Sequence, residues 1–346
     1  MSASPGLSVD FQLEILEECG FHCQACYVDK TARLEFGDNQ IRKMHALFSE
    51  FQAKSYDLDH LIVGPTDFTT SPSFDRISEE KHFGELTSFF NATNWTTTLL
   101  ARNWQEKVEK LSRFNRSREA TFSIVLNPQK SLDRRYLDLF VERCRQLREI
   151  YAKPIRRFYI VFNAYPHRAQ ERVDFKRDYL TVHRLVHELF KVPSFEHGFS
   201  FTRAPSIQGH KERIMGSMDW LNQVYDEVAD ATEIPIQFLI EGDYSANRYV
   251  FKNDRFYFAP LWHEPFVNFD PALEVPVREW SVSEFERFEQ KIVLRQYERL
   301  DQLVCGQCTY NPLCLKRGIV HLLDVLGENR CLVPRQAVEQ RGLAYD

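Results

Sequence analysis

Val9, Phe11, Leu13 and Ile15 alternate with Asp10, Gln12 and Glu14, the period-two pattern of a β-strand. From about Asn39 the period lengthens, and Ile41, Met44, Leu47, Phe48 and Phe51 fall on one face of a helix. The same alternation of textures continues. Residues 58–63 read as a short apolar strand closing at Gly64-Pro65, 78–90 as a helical stretch, and 95–100 as a Thr-rich strand. A short helix over 105–111 precedes a strand over 120–126. A helix opened by Ser131 then carries Tyr136, Leu137, Phe140, Val141, Cys144, Leu147 and Tyr151 on its apolar stripe. A strand over 157–162, a helix over 179–190 and a strand over 199–202 complete the series.

Six strands, each followed by a helix or helical connection, predict an α/β fold with parallel pairing through right-handed crossovers. Periodicity leaves a doubly wound sheet and a barrel both open. A helix over 217–228 leads to a change of texture, and a domain boundary is expected near residue 230 (1–230 and 231–346). Beyond it, Tyr249-Val250-Phe251 and Arg255-Phe256-Tyr257-Phe258 flank polar residues and predict a β-hairpin. Loops with Pro260, Pro265, Pro271 and Pro276 follow. A helix over 281–303, with Phe285, Phe288, Ile292, Leu294, Tyr297 and Leu300 near helical spacing, delivers the chain into Cys305.

Composition narrows the function classes. With 44 Lys plus Arg against 49 Asp plus Glu, the net charge of −5 argues against nucleic-acid coating, which needs excess positive charge to displace phosphate counterions. No apolar run approaches the ~20 residues that cross a bilayer. Met1 to Pro5 lacks the basic-then-apolar pattern of a signal peptide, so a cytoplasmic protein without nucleic-acid or membrane partners is expected. The 43% hydrophobic content, with 28 Phe, is ample for a packed core.

The 8 cysteines are clustered, which in a chain of this size reads as metal ligation before disulfides. Cys19, Cys23 and Cys26 form a C-x3-C-x2-C group, followed by Tyr27, directly after the first predicted strand. Three thiolates on one loop would leave one iron of a [4Fe–4S] cluster open to an outside ligand. A zinc site completed by His22 or a distant residue is the competing reading. Cys305, Cys308, Cys314 and Cys331 form a C-x2-C-x5-C-x16-C group, enough to close a second [4Fe–4S] cluster or a four-thiolate zinc knot. Cys144 stands apart, on the apolar stripe of its helix, and reads as a small core residue.

The first group, its aromatic neighbour and its place after a first strand resemble the radical S-adenosylmethionine (SAM) enzymes. The second group resembles the C-terminal part of the SPASM region of that superfamily. The full SPASM pattern has a further Cys four residues after Cys314, where this chain has Gly318, so the resemblance implies one auxiliary cluster. It also implies an open (β/α)6 partial TIM barrel with a C-terminal auxiliary-cluster (SPASM/twitch-like) domain.

The resemblance further implies SAM as cofactor, bound with the three-Cys cluster. Contacts would come from Gly64, Pro65, Thr66 and Asp67, where the family has a Gly-Gly-Glu-Pro-like segment, and from Asn127, Asn163 and Arg203 after later strands. Each of these is otherwise a turn former or a solvated strand-end residue. The implied chemistry is reductive SAM cleavage to a 5′-deoxyadenosyl radical that takes hydrogen from a C–H bond. The implied electron donor is a flavodoxin or ferredoxin, and the auxiliary cluster would transfer electrons or serve structure.

The substrate expected from SPASM-type relatives is a peptide undergoing crosslinking or related maturation. With 18 residues before Cys19, leader recognition would fall to a separate protein or to direct docking. Dehydrogenation or epimerisation of a small natural-product intermediate is the alternative. Asp243, Tyr244, His263 and Glu264, polar residues between the hairpin region and the second group, are candidates to line a substrate cavity or supply a general base, though such loop residues are usually solvated, and no catalytic acid or base is assigned.

Overall fold

The computed structural model describes residues 8–16, 36–65, 69, 71, 73–80, 82–96, 99–126, 133–164, 195–201, 248–258, 274–275, 279–308 and 329–331. Strands β1 (Ser8–Leu16), β2 (Asp57–Pro65), β3 (Ala92–Thr96), β4 (Glu119–Leu126), β5 (Ile155–Ala164) and β6 (Phe195–Phe201) pair in parallel, each with the next in sequence. Strands β7 (Arg248–Lys252), β8 (Arg255–Phe258) and β9 (Glu274–Val275) extend the same sheet beyond β1, giving the order β6-β5-β4-β3-β2-β1-β7-β8-β9. The fold is therefore a mixed α/β structure around a mostly parallel sheet.

One face of that sheet carries the helices. Helix α1 (Asp38–Ala53) buries Ile41, Met44, Leu47, Phe48 and Phe51, the five positions its 3.6-residue pattern singled out. The centre of the core is Phe11 of β1, fully buried, with ring centroids of Phe48, Phe51, Phe90, Tyr249, Phe256 and Phe285 between 4.7 and 6.2 Å away. Offset and edge-on aromatic pairs add about 0.5–1.5 kcal/mol each beyond area burial, so this cluster joins distant parts of the chain strongly. Phe285 belongs to helix α6 (Val282–Leu300), which thus packs on the same face as α1. Tyr56 also donates to Glu286 at 2.8 Å, tying that helix to the start of β2.

Helices α2 (Phe74–Glu79), α3 (Phe83–Thr87), α4 (Trp104–Phe114) and α5 (Arg134–Ile150) lie between the later strands. Trp95 of β3 meets Phe83 and Phe114 edge-on, and Phe122 of β4 meets Tyr151 at 4.9 Å, all on the face that Phe11 occupies. Cys144 is buried on α5, and burial pushes its thiol well above the ordinary range, as a core residue requires.

Several expectations change in detail. The stretch 78–90 is not one helix but α2 and α3, parted at Glu80, whose backbone is extended. Gly84 explains the tight placement of α3: a Cβ there would sit 2.9 Å from the Phe114 carbonyl oxygen. Strand β3 ends at Thr96, short of residue 100. Helix α5 is capped by Asp133, whose carboxylate accepts the Arg135 N–H at 3.0 Å, rather than opened by Ser131. Leu294 and Tyr297 of α6, expected on its apolar stripe, are 63% and 54% exposed. The helices expected over 179–190 and 217–228 lie outside the described residues.

The hairpin forms as its sequence predicts. Asn253 and Asp254 both adopt positive φ (51° and 59°), the paired left-handed conformation of a two-residue type I′ turn. What the pattern did not reveal is its neighbour. Strand β7 pairs in parallel with β1, and Lys43 of α1 reaches Asp254 at 3.7 Å while lying 5.1 Å from the Trp280 ring centre.

Candidate functional site

In a parallel sheet all carboxyl strand ends share one edge, where loops carry function on a rigid frame. Cys19 is the third residue beyond the end of β1, and Cys19, Cys23 and Cys26 themselves lie outside the described residues. The chain returns at Phe36, whose ring packs against Phe83 and Phe251. Gly64 and Pro65 form the end of β2, in register with Glu14 and Leu16 of β1. Asn163 stands at the end of β5, paired with Ser200. Thr66, Asp67, Asn127 and Arg203 lie outside the described residues, as do Asp243, Tyr244, His263 and Glu264.

The sheet face opposite the helices has a chemistry that the alternation alone left unread. Asp10, Gln12 and Glu14 of β1 and Thr121 of β4 are all buried there. The amide of Gln12 donates to Glu14 at 3.2 Å, and Lys252 of β7 faces the other carboxylate oxygen of Glu14 at 3.8 Å. Asn94 of β3 presents a buried side-chain oxygen with no hydrogen-bond partner among the described residues. A central strand covered on both sides normally reads as a continuous apolar run. Three acids or amides at every second position of β1 were the available signal for a polar interior.

Lower on the same face, the β1–β2 register shifts between Val9 and Phe11, and Asp59 and His60 both stand opposite Asp10. The Asp10 carboxylate accepts the His60 backbone N–H at 3.1 Å. The His60 ring nitrogen Nδ1 lies 3.5 Å from Asp10 and 3.1 Å from Asp59. Burial pulls the imidazole pKa down, but the two carboxylates outweigh it and raise it to about 9. These three ligand atoms lie within 4.8 Å of one another, a spacing a divalent metal accepts. The raised pKa favours the protonated imidazole at neutral pH, the form that pairs with both carboxylates.

The second cysteine group is partly in view. Helix α6 ends in the turn 301–303 and a short 3-10 turn, Val304–Gln307, closed by Gly306 N–H to Leu303 and Cys308 N–H to Cys305. A Cβ on Gly306 would lie 2.8 Å from the Leu300 carbonyl, so only glycine lets this turn sit against the helix end. The Val304 N–H donates to Asn329, which brings 329–331 alongside. Cys305 is buried, Cys308 half-buried and Cys331 exposed. Burial, then the neighbouring Cys331 and Cys308, push the Cys305 thiol above its ordinary range. Two short segments thus bring Cys308 and Cys331 near enough to Cys305 to act on its thiol electrostatically, and no disulfide joins Cys305 to Cys308. Thiolates are the donors that iron–sulfur and zinc centres use, and Cys314 lies outside the described residues.

Among the described residues no helix is long and apolar enough to cross a membrane. No protein-family model matches the chain, and no curated protein matches it. Among solved structures the chain is similar to SuiB of Streptococcus suis, crystallised bound to the precursor peptide SuiA. The TM-score is 0.40 with 12% sequence identity, over 69% of this chain and 50% of SuiB, so the chain spans about half the length of that protein.

Proposed function

We propose that this protein is a radical SAM enzyme that removes hydrogen from a C–H bond of a peptide substrate in an oxidative maturation step. The observation that carries this reading is the C-x3-C-x2-C group starting three residues past β1, in a parallel sheet whose first six strands run in sequence order. Sequential order with helices on one face is the winding of a barrel-type α/β unit, whereas a doubly wound sheet reverses its order at a switch point. It supports the (β/α)6 partial barrel, which we place over residues 1–230, and we propose 231–346 as the auxiliary-cluster region, whose strands β7 to β9 continue the same sheet.

In this reading Cys19, Cys23 and Cys26 hold the [4Fe–4S] cluster that binds SAM, and Cys305, Cys308, Cys314 and Cys331 hold an auxiliary one. The bound group supplies, on one-electron reduction, a 5′-deoxyadenosyl radical as hydrogen abstractor. The chain's own work is placement and exclusion of water. Gly64 allows close backbone approach to a ligand at the end of β2. Pro65, Thr66, Asp67, Asn127, Asn163 and Arg203 are proposed to bind SAM from the strand ends. The SPASM-type spacing of the second group favours a peptide over a free metabolite.

Anaerobic reconstitution with iron and sulfide tests the class. About eight irons per chain, as two cubes of four, with 5′-deoxyadenosine released from SAM on reduction, is the expected result. A colourless zinc protein that leaves SAM intact overturns it.

A further inference from the structure

We propose that Lys107 of α4 is a positioning residue: it fastens the connection that leaves β2 and so sets the strand end that binds SAM. The proposal deepens the radical SAM reading and rests on it for the identity of the ligand.

The contact joins two separate segments. The Lys107 ammonium donates to the backbone carbonyl of Thr69, four residues beyond the end of β2 at Pro65. Thr69 is fully buried, and Ser71 and Phe74 are buried with it. From Thr69 the chain runs directly into α2: the Ser71 carbonyl accepts the Phe74 N–H at 3.0 Å, and the Ser71 hydroxyl oxygen accepts the Ser73 N–H at 3.1 Å. The Lys107 ammonium also lies 5.9 Å from the centre of the Phe74 ring, within cation–π range. One side chain of α4 thus holds both the carbonyl and the ring that flank this turn.

The placement of Lys107 in its own helix is informative. It closes the first turn of α4, where its N–H bonds to the Asn103 carbonyl at 3.2 Å. That end of a helix carries the positive pole of the dipole, where a cation is unfavourable. A local conflict of this kind is offset by a contact elsewhere, here a charge-assisted bond to a distant carbonyl. Lys110, one turn further on, pairs with Asp75 and Glu79, which are 76% and 73% exposed, so solvent screens it. Arg143 of α5 donates to the carbonyls of Leu99 and Ala101 and fastens the connection after β3 in the same manner. Of these two connections, the one held by Lys107 continues from Gly64 and Pro65, the strand end proposed to bind SAM.

The test uses the full chain reconstituted under anaerobic conditions. S-adenosylhomocysteine is titrated calorimetrically into wild type, Lys107→Met, Lys107→Arg, Lys110→Met and Arg143→Met. The expected result is about 10-fold weaker binding in Lys107→Met, recovery in Lys107→Arg, and wild-type affinity in Lys110→Met and Arg143→Met. Arg143→Met lowers the thermal midpoint, so it shows that lost stability by itself leaves affinity intact. Wild-type affinity in Lys107→Met, or an equal loss in Arg143→Met, overturns the role.

A second arm needs no ligand. Amide hydrogen exchange over 60–80 should quicken in Lys107→Met and not in Lys110→Met. Unaltered exchange in Lys107→Met overturns the fastening itself. A wild-type chain that binds no S-adenosylhomocysteine counts against the radical SAM reading, and the exchange arm then decides by itself whether Lys107 holds the β2 connection.

Discussion

The carboxylate of Asp10 accepts the backbone N–H of His60 and also faces its imidazole, so one acid spans the β1–β2 register shift and pairs the ring beside it. Because the folded imidazole titrates near 9 instead of 6.5, its stabilising contribution is complete below about pH 6.5 and is lost as pH rises through about 9. The difference corresponds to on the order of 3 kcal/mol. Urea midpoints measured from pH 6 to pH 10 should fall across this window in wild type and stay flatter in His60→Gln. Equal slopes would remove the triad from the account of stability.

Phe11→Ala should destabilise the fold by about 3–5 kcal/mol, the usual cost of deleting a fully buried ring. Six aromatic neighbours from five separate stretches of chain surround it, so chemical denaturation should remain one transition and shift as a whole. Loss of the hairpin alone, with the rest intact, would mean that Phe11 does not couple them.

Gly84→Ala should cost about 1–3 kcal/mol through overpacking against the Phe114 carbonyl. The thermal midpoint reads this directly. An unchanged midpoint would show that α3 can move away freely.

Gly306→Ala is expected to push the Cys305–Cys308 turn off the end of α6. Under the proposed function it lowers retained iron as well as stability, whereas Gly84→Ala lowers stability only. Iron assay of both variants at a temperature where both are folded separates the two effects.

Cys305→Ser, Cys308→Ser and Cys331→Ser should each reduce iron from about eight to about four per chain. Cys144→Ala should leave iron untouched, since that thiol lies in the helical core. Full iron in all three serine variants would remove the auxiliary cluster.

Much of the framework was legible because hydrophobic period reports local geometry. The faces of α1 and α5 and the turn at Asn253-Asp254 follow from spacing and turn chemistry. The split at Glu80 was not legible, since the apolar pattern runs on across it and only the extended backbone of Glu80 parts the two helices. Leu294 and Tyr297 repeat at helical spacing yet are exposed, because spacing identifies a face without saying whether anything covers it. For the site, the cysteine groups were visible as spacings. Asp10 and Glu14 showed only as polar positions on β1, and their partners His60 and Lys252 were not legible, because these contacts arise from β1 lying between β2 and β7, a relation between segments far apart in the chain.

That placement of β1 has a consequence for biosynthesis. Strand β1 pairs with residues about 240 positions later in the chain (Asp10 with Arg248). Until those residues emerge, one flank of β1 offers unpaired backbone groups to any passing strand. Assembly is thus slow and late-closing, with its longest-range pairing at the centre of the sheet. Nascent chains stalled before the hairpin are the species most in need of a chaperone.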